Sequence, residues 1–357
     1  SRMLTDSHES NLVRWNPGTA GVYESHFFKV NLPEQSRAFW WRFTILHPTS
    51  GTEGGGAPSF DLWAISFDIA RPERSFAIKV PHTPERVRID REVLNIQYGD
   101  CRLRHGASEG TIAQGGHSLT WSLTWPVPMA AFRHFPHANM YTGKIPKTKL
   151  ITPVIDGRMT GHVVVDGERL DFADARGMQG HNWGERHAEQ WVWVHCNAFA
   201  EDESAHFEAV SSVIRVAGVT TPQLTLLHLA HGDGTSTTLN GLLDLARNRA
   251  TLELPETGEP GRLVWRFRGA SGDTCLEGHV SAAPERFVGL CYPNPDGTTA
   301  TCLNSKIADI EVRLLRKRGV WRLERTYTAT ALAALEIGLS TESPSPGDDG
   351  RPVLRGV

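Results

Sequence analysis

The sequence predicts an all-β fold of two antiparallel β-barrel halves, and three observations support it. The chain has 357 residues, about twice the length of an ordinary single domain, which favours two cores. Short segments of strand character recur, each bounded by Gly, Pro, Asn or Asp, and few windows have helical periodicity. These segments follow one another without the strand-helix alternation of parallel sheets, so barrels or sandwiches are favoured.

The predicted strands of the N-terminal half span 23–31, 38–46, 61–69, 75–80, 93–98, 101–105, 117–126 and 162–165. In the second of them Trp41, Phe43 and Ile45 share one face, as side chains two apart on a strand do. The C-terminal half offers strands at 189–199, 205–216, 223–230, 262–268, 275–280, 308–315 and 320–327. The pattern predicts a helix only over 328–338.

Three irregular stretches separate or follow these strands. The Gly-rich residues 49–58 predict a surface loop or a mobile lid, and 132–152 is expected to pass over a surface between the halves. The tail from residue 343 is rich in Pro, Gly and Asp and is predicted to be flexible. We therefore predict an N-terminal domain at 1–175, a C-terminal domain at 176–342 and a flexible tail at 343–357.

Composition excludes several classes of function. The formal net charge of −3 leaves no excess of cations for phosphates, so nucleic acid is not an expected partner. No apolar run reaches the roughly 18 residues that span a bilayer, and the first residues are polar. We expect a cytoplasmic protein that is not an integral membrane protein. Access to a lipophilic substrate at a membrane surface remains an open alternative. The five cysteines are odd in number and include no CxxC pair, which disfavours disulfides and zinc knuckles.

Cofactor signatures are absent as well. The sequence has no GxGxxG that opens a helix, no GxxxxGK[ST] and no HExxH. His181, His187 and His195 could supply imidazoles, but spacings of six and eight match no familiar zinc motif. We therefore predict no cofactor and no metal, and interpret these histidines as hydrogen-bonding residues.

One block, 177–197, concentrates three tryptophans, three histidines and two glutamates. Its second part alternates, which places Trp191, Trp193, His195 and Asn197 on one face. If 201–204 turn the chain, Asn197 lies opposite Glu208. This face either points to solvent or forms the wall of a pocket or of a contact between the barrels. The wall is favoured by its tryptophans, since each typically buries roughly 150 to 250 Å².

At this block the sequence resembles the superfamily of AttH, carotenoid 1,2-hydratase and tocopherol-cyclase-like proteins, which includes kievitone hydratase and lipocalin-like Diels-Alderases. The shared element is close to G-Y-H-D-H-N-W-G before a Trp-rich strand, and residues 177–184 read GMQGHNWG. The likeness extends through Glu24 and through 39–42, 62–65 and 146–153. It implies two lipocalin-like (calycin) halves around an apolar small molecule.

The resemblance also implies an activity, the hydration or cyclisation of isoprenoid chains by acid catalysis. In such members the acid comes from the Tyr-His-Asp part of the motif, which here matches Met178, Gln179 and Gly180, so the carboxylate is missing. The remaining candidate acids are Glu185 and Glu208, with His181 and His195 to orient water or act as base. The predicted substrate-binding residues are amides and rings of the same region and of two N-terminal strands: Gln179, Asn182, Trp183, Trp191, Trp193, Asn197, Trp41 and Trp63.

Two other classes of function stay open. A pericyclase or isomerase needs no acid, because it folds its substrate into a reactive shape in a closely fitting cavity. A non-catalytic carrier of lipids or isoprenoids needs only the apolar cavity. Loss of one carboxylate would abolish turnover in the acid catalyst alone, whereas a carrier would convert nothing.

Overall fold

The computed structural model of the chain describes residues 5–51, 56–216, 218–255 and 261–341. The fold is all-β, with two antiparallel sheets that form a nearly closed barrel and a half-barrel, as the sequence predicts. The residues 52–55 of the predicted Gly-rich loop and the predicted tail 343–357 lie outside the described residues.

The first sheet has 12 strands in the order β4-β3-β2-β1-β12-β11-β9-β8-β7-β6-β5, with β10 paired to β11. Its strands are β1 (Val22–Leu32), β2 (Arg37–His47), β3 (Ser59–Asp68), β4 (Phe76–His82), β5 (Val87–Asp90), β6 (Asn95–Tyr98), β7 (Cys101–Arg104), β8 (Ala107–Gln114), β9 (His117–Thr124), β10 (Phe132–Arg133), β11 (Thr148–Val165) and β12 (Glu168–Gly184). The described helices include α1 (Asp6–Asn11) before β1 and α2 (Asn139–Thr142) between β10 and β11.

The second sheet has 10 strands in the order β18-β17-β14-β13-β24-β23-β21-β20-β19, with β22 paired to β23. Its strands are β13 (Gln190–Cys196), β14 (His206–Val213), β17 (Leu224–Ala230), β18 (Ser236–Leu239), β19 (Arg249–Glu253), β20 (Leu263–Ser271), β21 (Thr274–Ala282), β22 (Val288–Pro293), β23 (Thr299–Arg318) and β24 (Val320–Thr341). A separate ribbon is formed by β15 (Arg215–Val216) and β16 (Val219–Thr220), and α3 (Leu242–Arg247) precedes β19. The predicted domain boundary at 175/176 falls within β12, and the division into domains stays a prediction.

The helix predicted over 328–338 is wrong, because these residues belong to β24. This strand pairs with β13 on one side and β23 on the other, and Ala329, Ala333 and Leu335 pack in the core of the second sheet. Ala and Leu have high helix propensity, but pairing with two neighbouring strands and burial outweigh a preference of a few tenths of a kcal/mol per residue.

Both faces of several strands are buried, since the two sheets pack against each other. Trp41 lies in the core of the first sheet, as the alternation in β2 predicts. Its neighbour Trp40 packs in a third cluster, which joins residues of the first sheet, such as Ile65, to residues of the second, such as Leu290. This contact between the sheets buries side chains that alternation alone would place in water.

The segment 132–152 crosses between the sheets, as expected. Phe132 in β10 pairs with Thr152 of β11 and stacks on His228 of the second sheet, with ring centroids 4.3 Å apart. Asn240 Nδ2 donates to the carbonyl oxygen of His134 at 2.9 Å. No helix in the part of the chain that the structure describes is long and apolar enough to cross a bilayer.

Candidate active site

The motif strand β12 lies between β1 and β11, and the pairing brings distant residues into one row. His181 pairs with His26 on one side and Ile151 on the other. Trp183 pairs with Glu24 of β1 and Lys149 of β11. Residues paired in this way point to the same face of a sheet, with side chains about 5 Å apart.

The segment that begins in α1 covers this face of the first sheet. Thr5 caps α1, and its Oγ1 accepts from the backbone N–H of His8. At the C-terminal end of α1, His181 Nδ1 donates to the Ser10 carbonyl oxygen at 2.7 Å, and His26 Nε2 donates to the Asn11 carbonyl oxygen at 2.9 Å. The two imidazoles stack, with ring centroids 3.9 Å apart. Main-chain carbonyl groups therefore fix the orientation of both rings.

Glu24 joins this pair of histidines from β1 and is only 2% exposed. Its carboxyl group accepts from the backbone N–H groups of Arg14 at 2.8 Å and Trp15 at 2.6 Å. The same carboxyl lies 2.7 Å from His181 Nε2, a distance that indicates a direct hydrogen bond.

The proton of this bond resides on the carboxyl group. Burial raises the pKa of Glu24 above its ordinary 4.5. Burial, with a smaller effect of the Arg14 guanidinium, lowers the pKa of His181 to about 3. Since His181 Nδ1 already donates its hydrogen to Ser10, Nε2 of the neutral ring is an acceptor. In this hydrogen bond the protonated Glu24 carboxyl group donates to the neutral His181 ring, and burial shifts the pKa of Glu24 in favour of that form.

A cleft of about 300 Å³ reaches Glu24 from the surface. Its walls include the rings of Trp15, Tyr141 and Trp183. The rings of Tyr141 and Trp183 lie 6.4 Å apart, and the guanidinium of Arg14 sits 5.2 Å over the Trp183 ring. A buried acid, an aromatic wall and an opening to solvent thus meet at one place.

A second buried carboxylate, Glu208 on β14, is in a different electrostatic state. Its Oε1 accepts from His134 Nε2 at 2.6 Å, Thr152 Oγ1 at 2.8 Å and Trp193 Nε1 at 3.1 Å. Burial raises the pKa of Glu208, but His134, and to a lesser degree His195 and Trp193, outweigh burial and hold it at about 2. Glu208 is therefore ionised at neutral pH and binds the 132–152 segment to the second sheet.

The register predicted for the β13–β14 hairpin is wrong by two residues. His195 pairs with Glu208 and Trp193 with Val210, because β13 ends at Cys196 and the connection to β14 is longer than expected. A shift of two residues leaves each side chain on its predicted face. Trp193, His195 and Asn197 are buried. His195 Nε2 donates to the Ile155 carbonyl oxygen at 2.7 Å, so this face is a wall between the sheets, and the solvent-facing interpretation is wrong.

The structure distributes the other predicted site residues over several places. Gln179 Nε2 donates to Asn11 Oδ1 at 2.9 Å beside the histidine pair, and Asn182 hydrogen-bonds Ser25. Glu185 is exposed and forms an ion pair with Lys147 at 3.8 Å. The other three rings lie elsewhere, Trp41 in the core of the first sheet and Trp63 and Trp191 at the contact between the sheets.

Sequence reasoning missed Glu24, Tyr141 and His134 as candidates for the site. The alternation of Glu24 and His26 on one strand face was readable, but the partner of Glu24 lies 157 residues away. Only the pairing of β1 with β12 reveals that Glu24 and His181 share a hydrogen bond.

Glu24, His26 and His181 also offer ligand atoms within 4.8 Å of one another, a composition that suits a metal ion. The contacts favour a hydrogen-bonded pair instead. The 2.7 Å between Glu24 and His181 Nε2 is shorter than the roughly 3.3 Å between two ligands at about 2.0 Å on a tetrahedral ion. We therefore treat the carboxyl and imidazole as an acid and its hydrogen-bond partner.

Comparisons with known proteins agree with the fold. A family model described as tocopherol cyclase-like matches residues 146–339. An uncharacterized protein of Mycobacterium tuberculosis, found in two strains, is 28% identical over 342 residues, which cover 93% of this chain and 94% of that protein.

Two solved structures share the architecture. A protein of Nitrosomonas europaea described as AttH is 11% identical, with a TM-score of 0.50, and the match covers 91% of this chain and 98% of that one. Kievitone hydratase from Nectria haematococca is 10% identical, with a TM-score of 0.50, over 95% of this chain and 96% of that one. At such low identity these likenesses establish the fold alone.

Proposed function

The chain belongs to the tocopherol cyclase-like family, and from this premise we propose that it hydrates or cyclises an apolar isoprenoid-like molecule by acid catalysis. The observation that carries the proposal is the protonated Glu24 carboxyl, hydrogen-bonded to His181 of the family motif at the base of an aromatic cleft. A carboxylic acid kept neutral by burial is the group that protonates an alkene without a cofactor.

In the proposed reaction the π electrons of the double bond take the proton of Glu24 and form a new C–H bond. The positive charge develops on the more substituted carbon, next to the rings of Tyr141 and Trp183, which lie 6.4 Å apart. An aromatic face stabilises such a cation by roughly 0.5 to 2 kcal/mol. Water, or a hydroxyl group of the substrate itself, then attacks the cation and returns a proton to Glu24.

His181 is a positioning residue in this scheme. Its Nδ1 is held by Ser10, so its Nε2 presents an acceptor that orients the Glu24 carboxyl group. The neutral ring does not compete for the proton, since burial lowers its pKa to about 3. The ionised Glu208 has no proton to donate near neutral pH, and exposed Glu185 lacks the burial that would keep it protonated.

The first experiment exposes the purified protein to an isoprenoid extract and follows the extract by mass spectrometry. A product heavier by one water supports hydration, and an isomer of unchanged mass supports cyclisation. Glu24→Gln should reduce turnover by about 10²- to 10⁴-fold, the usual contribution of a general acid, while ligand binding persists. Glu92→Gln is the matched control, because it makes the same change on an exposed side chain outside the cleft, and it should leave turnover unchanged.

The pH dependence of turnover gives a separate test of the acid. Because Glu24 must be protonated to react, we expect the rate to be constant at low pH and to fall as pH rises through its pKa. Burial places that pKa above 4.5, so the inflection should lie above this value. A rate that rises with pH over the same range, or a ligand recovered unchanged under all conditions, would contradict the proposal and favour a carrier.

A further inference from the structure

The cleft that contains Glu24 is lined by an excess of cationic side chains. Its cations are Arg14, Lys144, Lys147 and Lys149, and its carboxyl groups are Glu24 and Glu185. Because burial raises the pKa of Glu24 and so favours its neutral form, the excess of cations over anions is larger when this carboxyl group is protonated. The chain as a whole has a net charge of −3, so this local excess runs against the overall balance.

Of the three lysines in this set, Lys149 is the buried one, with a relative exposure of 7%. Its Nζ donates to the Pro146 carbonyl oxygen. Among the described residues no carboxylate lies within ion-pair distance of it, and the neighbouring Glu185 is 3.8 Å from Lys147 instead. Burial lowers the pKa of Lys149, because the ammonium has lost hydration without gaining a full counter-charge. A buried cation in this state is stabilised by an anion that enters the cleft.

The strand register places Lys149 at a defined separation from the acid. Glu24, Trp183 and Lys149 are cross-strand neighbours on β1, β12 and β11. Neighbouring strands lie about 4.8 Å apart, so the backbones of Glu24 and Lys149 are roughly 10 Å apart with the indole of Trp183 between them. A molecule anchored at Lys149 would extend along Trp183 and present its chain to Glu24.

We propose that the substrate carries an anionic group, a carboxylate or a phosphate, which pairs with Lys149 while its apolar chain lies on Trp183. Arg14 and Lys144 also line the cleft and add positive potential there. The reacting double bond then lies several carbons from the anionic group, at the distance set by the row of three strands. This inference rests on the proposed function for the place of reaction, but anion binding is measurable without turnover.

The test compares three probes with the same chain, which are geranylgeraniol, geranylgeranoic acid and geranylgeranyl monophosphate, by equilibrium dialysis. The wild type should bind at least one anionic probe about ten-fold or more tightly than the alcohol, as a charge-assisted hydrogen bond provides. The tighter of the two anions identifies the carboxylate or the phosphate as the preferred group. Lys149→Met should abolish the preference, and Lys149→Arg should retain it.

Lys147→Met is the matched control, since it removes a lysine two residues away that is exposed and already paired with Glu185. It should keep most of the preference. Equal affinity for alcohol and anions in the wild type, equal losses in the two Met variants, or no binding of any probe would overturn the inference. The Lys149→Arg variant guards against misfolding as the cause of a loss.

The outcome is separable from that of the proposed function. Glu24→Gln should bind the anionic probes with unchanged preference. Turnover that depends on Glu24 without any preference for an anion would overturn only the anion site. A clear preference for an anion, without turnover of any isoprenoid, would overturn only the acid catalysis.

Discussion

At the scale of single residues, two buried glutamates show how neighbours decide the state of a carboxyl group. Glu24 is surrounded by main-chain N–H groups and a neutral imidazole, and burial raises its pKa. Glu208 is equally buried, yet its pKa falls to about 2, since His134, Thr152 and Trp193 converge on one of its oxygens. The first is suited to donate a proton, and the second to hold two parts of the chain together.

The pair of Glu208 and His134 makes a prediction for stability. Glu208→Gln removes the charge that faces His134 Nε2, in a ring whose Nδ1 contacts the Leu150 carbonyl oxygen. Breaking a buried pair by changing one partner typically costs about 3 to 5 kcal/mol, and we expect a loss of free energy of unfolding in this range at pH 7. Urea unfolding followed by tryptophan fluorescence measures it.

The effect should depend on pH with a defined sign. The pKa of Glu208 is lowered in the folded protein, so its contribution is present above the ordinary value of 4.5 and is lost as pH falls towards about 2. The stability difference between wild type and Glu208→Gln should therefore shrink over this interval. Glu185→Gln changes an exposed carboxylate, and its free energy of unfolding should stay close to that of the wild type over the whole interval. A stability difference between wild type and Glu208→Gln that does not change with pH would contradict this account.

At the scale of elements, the alternation of residue types along a strand predicts on which face of the sheet a side chain lies. It does not predict which residues of two neighbouring strands pair. The face of Trp193, His195 and Asn197 was correct even though the β13–β14 pairing is shifted by two residues, since faces depend only on odd or even spacing. The register depends on the connection between the strands, and no turn motif between 197 and 205 fixes its length. The helix predicted in β24 failed for a related reason, because its partners β13 and β23 are not visible in its own sequence.

The sequence is sufficient to locate the block 177–197, but it does not reveal that the side chains of this block belong to two separate clusters. Neighbouring residues of β12 face opposite sides, so His181 points to the last turn of α1 while Met178 packs on the second sheet with Trp193. Residues that were expected to form one site therefore belong to two clusters. The acid that completes the first cluster comes from β1, far along the chain, where nothing local distinguishes Glu24 from other glutamates on strands.

Gly180 shows how one strand position explains the departure from the family motif. It stands at the position that the resemblance matches to the aspartate of the motif, and a Cβ atom built on it would lie 2.2 Å from the ring of Phe27, its partner on β1. The ring of Phe27 is in edge-to-face contact with Trp193 at 5.7 Å, so it fills the space against the second sheet. A side chain at 180 and this ring cannot both be accommodated without movement.

A double-mutant cycle tests this exclusion. Gly180→Ala alone should reduce the free energy of unfolding by about 1 to 3 kcal/mol, the usual cost of overpacking. In a Phe27→Ala background the same change should be neutral or stabilising, because alanine is favoured over glycine in a strand by roughly 0.5 to 1 kcal/mol once space allows. Chemical denaturation of the four proteins measures the coupling. Additive effects would show that Phe27 is not what excludes the side chain.

At the scale of the molecule, the contact between the sheets combines an apolar cluster with buried charge. Trp40, Trp63 and Ile65 of the first sheet pack with Leu290 and Tyr292 of the second. Close by, Asn31 Nδ2 donates to the Lys306 carbonyl oxygen at 2.8 Å. The fully buried ammonium of Lys306 bonds Glu336 at 2.8 Å and lies 5.5 Å from the rings of Trp40 and Trp193. Separation of the sheets would expose Trp40, Trp193 and the Lys306 ammonium to water and would break the hydrogen bond between Asn31 and Lys306.

We therefore expect the two sheets to unfold together. Leu290→Ala removes apolar volume from the contact on the side of the second sheet, and such changes typically cost about 2 to 5 kcal/mol. If unfolding is one cooperative event, hydrogen exchange of the slowest amides should accelerate equally in β2 of the first sheet and β21 of the second. Leu323→Ala, which changes a side chain that is 52% exposed, is the control and should leave both rates unchanged. Acceleration confined to β21 would show that the halves are stable separately, and would favour two autonomous domains over a single cooperative unit.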